Sequence, residues 1–90
     1  MGDTTATREV LDRALASPRG VRMTFPSRVR AAAFRNQCYA IRSKDAARSR
    51  RVWKPEDKRY GKSPYDELVF LLDGDRLWIG KNEPEEMIEL

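Results

Sequence analysis

An α+β fold is what this chain predicts, and three features carry that reading. A helix-period apolar stripe runs through the middle of the chain, two apolar β segments flank an Asp-Gly turn near its end, and a short alternating segment precedes the helix. The 90 residues have room for a single domain. Its core is marginal alone, because a chain this size buries only about 60–65% of its unfolded surface. The expected order is an N-terminal helix and then β-α-β-β, a small three-stranded sheet packed on an Arg-rich helix. Residues 1–82 form the domain and 83–90 an acidic C-terminal tail.

The elements follow from local chemistry. Thr4 to Ala16 reads as a short amphipathic helix, capped by Thr4 or Thr5, with Val10, Leu11, Ala14 and Leu15 as its apolar edge. Ser17-Pro18-Arg19-Gly20 stops it. Val21 to Phe25 alternates apolar and polar, which predicts a strand with Val21, Met23 and Phe25 on one face. Pro26 ends that strand, and Ser27 is placed to cap the next helix.

Neither glycine nor proline occurs from Arg28 until Pro55. At about 100° per residue, Ala31, Phe34, Cys38 and Ile41 fall in one core-facing stripe. Arg28, Arg35 and Arg42 line one flank of it. Continuing the same helix would place Asp45 in the middle of the stripe, so a break is expected near Ser43 to Asp45. Asp45 would then cap a second short helix, Ala46 to Val52.

Trp53 to Pro64 reads as a loop. Leu68 to Leu72 and Asp75 to Ile79 read as hairpin strands about an Asp73-Gly74 turn. That turn sets Leu68 opposite Ile79 and Phe70 opposite Leu77. With Leu72 they make one apolar face, and Val69, Leu71 and Trp78 occupy the other beside Arg76. Two apolar faces need two covers. The long helix can take one. The other falls to the first helix, to Met87, Ile88 and Leu90, or to a second subunit.

Charge is divided by segment. The net charge of +4 resolves into −1 over residues 1–18, +11 over 19–62 and −6 over 63–90. Thirteen of the eighteen basic residues are arginine, whose planar guanidinium binds phosphate in bidentate fashion and stacks on bases. A central segment this cationic attracts polyanions. The alternative is a solvated face neutralised by the acidic segment or by acidic partners.

Several chemistries are excluded. Histidine is absent and Cys38 is the lone cysteine, which leaves no His triad, Cys-based zinc site or intramolecular disulfide. The longest apolar run, Leu68 to Leu72, is far below the ~20 residues of a membrane span. No apolar secretory segment opens the chain, so an intracellular, cytoplasmic protein is expected. Gly61-Lys62-Ser63 lacks the glycine a phosphate loop needs five residues earlier, where Glu56 stands, and Pro64 follows at once. Asp73 and Asp75 are explained by the turn. Cys38 reads as a small buried hydrophobe without a partnering base. A non-enzyme without metal or cofactor is expected.

Two groups remain as candidate nucleic-acid contacts. Arg28, Arg35 and Arg42 recur at intervals of about 10–11 Å along the helix, with Arg48, Arg50 and Arg51 beyond them. The following loop interleaves Trp53 and Tyr60 with Lys54, Lys58, Arg59 and Lys62. Aromatic faces among cations suit unpaired bases, although such aromatics also serve loop packing. DNA is favoured over RNA. The rival is a protein-interaction module that modulates a larger enzyme through Val69, Leu71 and Trp78 or through the acidic tail, and homodimerisation through that sheet face is compatible with either. The tail is open to three readings: solvated, docked on the basic segment, or bound to a basic partner.

The stretch from Ala14 to Ser27, the helix from Phe34 to Arg42, and Ser63 to Phe70 resemble small bacteriophage-encoded proteins of unassigned activity. The resemblance spans about sixty residues and carries no motif of known chemistry. It implies a setting in phage DNA metabolism or in the blocking of host machinery.

Overall fold

The structure, a computed structural model, describes residues 5–81. Thr4 as a cap, the acidic tail 83–90, and Met87, Ile88 and Leu90 as a sheet cover lie outside the described residues. The elements run α1 (Thr5–Ala16), β1 (Val21–Thr24), α2 (Arg28–Val52), β2 (Val69–Asp73) and β3 (Arg76–Gly80). The fold is α+β in the expected order.

The three strands form one antiparallel sheet in the order β1-β3-β2, so the last strand of the chain is the central one. Leu77 and Ile79 of β3 are fully buried. Val21 and Met23 lie opposite Ile79 and Leu77 on one side, and Phe70 and Leu72 oppose the same two residues on the other. Leu11 and Ala14 of α1 join Cys38 and Ile41 of α2 in the same buried cluster. Both helices therefore cover the Leu77 face, and the first helix is not the cover of the opposite one.

The hairpin register differs from the expected one by two residues. Asp73 pairs with Arg76, Leu72 with Leu77 and Phe70 with Ile79, which leaves Gly74 and Asp75 as the loop. Gly74 has φ +60°, and among the described residues no non-glycine residue has positive φ. A turn with glycine at its first central position needs only that one positive φ, whereas a loop centred on Asp73-Gly74 in the commonest form needs two. The chosen register also sets opposite charges, Asp73 and Arg76, across the turn. A two-residue shift preserves every side chain's face, so the division of the sheet into faces stands.

The expected break in the central helix is absent: α2 is continuous over 25 residues. Ser27 caps it, its hydroxyl accepting from the Arg30 N–H. Asp45 does fall on the inward stripe, but it is neutralised there. Arg8 of α1 grips it with two hydrogen bonds, Nη2 to Oδ1 at 2.8 Å and Nη1 to Oδ2 at 3.0 Å. With its carboxylate satisfied from a neighbouring helix, Asp45 has no need to cap a new one.

The outer sheet face carries Val69, Leu71 and Trp78, all half-buried. Trp78 is anchored: its Nε1–H donates to the Arg19 carbonyl at 3.0 Å. Its ring also lies against two glycines. A Cβ at Gly20, whose φ is +79°, would come within 2.6 Å of the Ile79 carbonyl and 2.7 Å of the indole, and one at Gly80 would run into the ring. The indole thus covers part of the face it stands on.

Because Leu77 is central to the core and Leu71 sits on the opposite face, their truncations should separate. Leu77→Ala is expected to lower stability in urea unfolding by about 2–5 kcal/mol, and Leu71→Ala by clearly less. Equal losses would contradict this division of the sheet.

Candidate functional site

Helix α2 is longer than the sheet it packs on. Its 25 residues span about 37 Å at ~1.5 Å per residue. Strands of five residues span only about 17 Å. The first half lays Ala31, Cys38 and Ile41 on the core. The second half meets α1 through Asp45 and the following loop through Ser49. The buried Ser49 hydroxyl donates to the Ala46 carbonyl at 2.7 Å and accepts from the Lys62 N–H at 3.1 Å. At the loop's far end the buried Tyr65 donates its hydroxyl to Asp12 Oδ1 of α1 at 2.8 Å. Burial and that carboxylate push the Tyr65 phenol above its ordinary value. A loop tied at both ends to two helices has little freedom.

Between the end of α2, α1 and this loop lies an open cleft of about 650 Å³. Arg8, Arg48, Lys58, Arg59 and Lys62 reach it as cations, and Val52, Trp53 and Pro64 supply apolar wall. Arg8 is committed to Asp45, whose hydrogen bonds hold the guanidinium charged. Among the described residues, Arg48, Lys58 and Lys62 make no ion pair.

Trp53 and Arg59 form a close cation–ring pair in the cleft. The Arg59 guanidinium lies 3.4 Å over the Trp53 ring centroid, in full stacking contact. Asp57 holds it there, accepting from Nε and Nη2 at 2.9 Å each and from the Arg59 N–H at 2.9 Å. Those bonds draw the Asp57 carboxyl well below the usual range, to about 2. The carboxylate is only partly buried at the surface, so its consequence is positional.

The predicted contacts divide between several places. Arg48, Trp53, Lys58, Arg59 and Lys62 come together in the cleft. Arg50, Arg51 and Lys54 are exposed but do not line it. Tyr60 is half-buried, its N–H donating to the Asp57 carbonyl at 3.1 Å. The ladder of Arg28, Arg35 and Arg42 does not run straight, because residues seven apart drift by about 20° around a helix. Arg28 is exposed, whereas Arg35 and Arg42 are half-buried. The Nε of Arg35 is buried with no hydrogen-bond partner. Arg42 packs over Tyr39 and Phe70 at 5.2 and 5.5 Å and reaches the Tyr65 and Leu68 carbonyls at 3.5 and 3.3 Å. Its charge holds the start of the hairpin.

Arg8, Asp45 and Ser49 were not foreseen at the site. The signal for them is the acidic residue at an inward position of an otherwise apolar stripe, which calls for a cationic partner from another element. Among the described residues no group of three or more His, Cys, Asp or Glu side chains is placed to hold a metal ion. No described helix is long and apolar enough to cross a membrane. Cys38 is buried and its thiol pushed up to about 11 by that burial, with Arg42 opposing, so it is a poor nucleophile at neutral pH.

Asp57 should keep Arg59 on the indole throughout the neutral and mildly acidic range and release it only as pH falls through about 2. Tryptophan emission is expected to stay constant from pH 7 to about 4, and Asp57→Asn to alter it already at pH 7. A transition in the wild type at an ordinary carboxylate pKa would contradict the stack. The chain matches no protein-family model, no curated protein and no solved structure, so what the cleft takes must be argued from its own residues.

Proposed function

We propose that this protein is a non-catalytic nucleic-acid-binding protein, with DNA favoured over RNA, and that the cleft beneath the end of α2 is its contact surface. The observation that carries this reading is the convergence of Arg48, Lys58 and Lys62, without ion-pair partners among the described residues, on a cleft walled by the Trp53–Arg59 stack. Phosphates supply the charge such cations attract, and bases supply flat faces for the stacked wall. Exposed Arg50, Arg51 and Lys54 extend the positive field beyond the cleft and would steer a polyanion toward it. Arg28 stands farther along the helix as an outlying phosphate contact. The resemblance to small bacteriophage-encoded proteins implies a setting in phage DNA metabolism or in the blocking of host machinery, and this reading takes the first.

The rival reading, a module that modulates a larger enzyme, has the outer sheet face in its favour, where Val69 and Leu71 stand beside Trp78. Trp78 is already engaged with Arg19, Gly20 and Gly80, which leaves a small apolar surface for a partner.

Affinity for a DNA oligonucleotide should fall about a hundred-fold between ~50 and ~200 mM salt if four phosphates are neutralised. Arg48→Glu with Lys62→Glu should weaken binding at least ten-fold and flatten the salt slope, while the circular dichroism spectrum stays unchanged. A salt-independent affinity, or a double variant that binds as the wild type does, would refute the reading.

A further inference from the structure

We infer that the cleft takes an unpaired nucleotide, so that the protein binds single strands in preference to duplex; this rests on the nucleic-acid reading above. The Asp57–Arg59–Trp53 arrangement points to this ligand. Trp53 stands at the end of α2, where its N–H donates to the Ser49 carbonyl and fixes its backbone. The Arg59 guanidinium carbon lies 3.4 Å over the indole, and Asp57 secures one edge of the guanidinium through Nε and Nη2. A planar cation locked in this way is a preformed platform, since its rotamer freedom is already lost before a ligand arrives.

What the platform can receive follows from its shape and charge. Asp57 neutralises Arg59, so the stack contributes mainly a flat, polarisable surface. Phosphate attraction is left to Arg48, Lys58 and Lys62 around it. A flat surface inside a concave site suits the face of a base, with a sugar-phosphate link held at the rim. In a duplex both faces of every internal base are covered by neighbours and its edge is paired. Such a base can lie on the Arg59 face only after unstacking and unpairing. A cleft of about 650 Å³ has room for one or two nucleotides.

Asp57 is accordingly a positioning residue. Its removal takes one negative charge from beside Arg59, which by charge alone should strengthen binding of a polyanion. If its role is to hold the platform, its removal weakens binding of a strand instead. The two effects have opposite signs.

The test is fluorescence anisotropy at low salt with labelled oligothymidylate, a mixed-sequence duplex of equal length, and unlabelled thymidine monophosphate as competitor. The inference expects the strand to bind about ten-fold or more tightly than the duplex, the worth of roughly one stacked base. Trp53→Ala and the exposed-site variant Arg59→Ala should each narrow that gap, and Asp57→Asn should weaken strand binding despite its added positive charge. Equal affinity for strand and duplex would overturn the inference while leaving the nucleic-acid reading intact. So would displacement of the strand by equimolar thymidine monophosphate, which would mark a free-nucleotide site. Failure of both probes to bind would remove the nucleic-acid reading itself.

Discussion

The contact between Arg8 and Asp45 is the constraint on which the rest of the molecule depends. An acidic side chain on the inward stripe of a long helix would ordinarily break the helix or be left without a partner at heavy free-energy cost. The two-bonded guanidinium from α1 removes that conflict. Helix α2 then runs on past the sheet, and its overhanging half provides one wall of a cleft. The same pair locks α1 against α2, and α1 in turn anchors Tyr65 through Asp12. One half-exposed ion pair contributes little stability by itself. Its importance is architectural, because it satisfies Asp45 inside an unbroken helix and ties α1 to α2.

A division of labour among the arginines follows from this geometry. Guanidinium groups near the core serve the fold: Arg8 holds Asp45, and Arg42 holds the carbonyls at the start of the hairpin. Those near the end of α2 and in the loop face solvent, and Arg59 alone among them is ion-paired among the described residues. Its pairing with Asp57 holds it over the Trp53 ring. A high arginine content thus supports two uses, which the bare charge total does not distinguish.

Much of this was legible beforehand, and the limits have physical causes. The element order and both sheet faces follow from local periodicity, which is a property of neighbouring residues. The faces survive even the two-residue register shift at Gly74, because alternation is unchanged by an even step. Asp45 is out of place on its stripe in the sequence alone. The resolution lies 37 residues away at Arg8, and no local pattern points there. The loop from Trp53 to Lys62 was legible as a cationic and aromatic segment. Its closure into a cleft depends on Ser49 and Tyr65 tying it to the helices, a tertiary outcome. Likewise, the Arg28, Arg35 and Arg42 row looks continuous on paper, but helical drift turns its later members inward.

Backbone amide hydrogen exchange through Ser43 to Ser49 tests the central claim most directly. An unbroken α2 held by Arg8 predicts protection across this segment comparable to that at Cys38 and Ile41, reduced selectively there by Arg8→Ala. Fast exchange at Ser43 to Asp45 in the wild-type chain, with protection resuming beyond it, would show two helices and contradict the account.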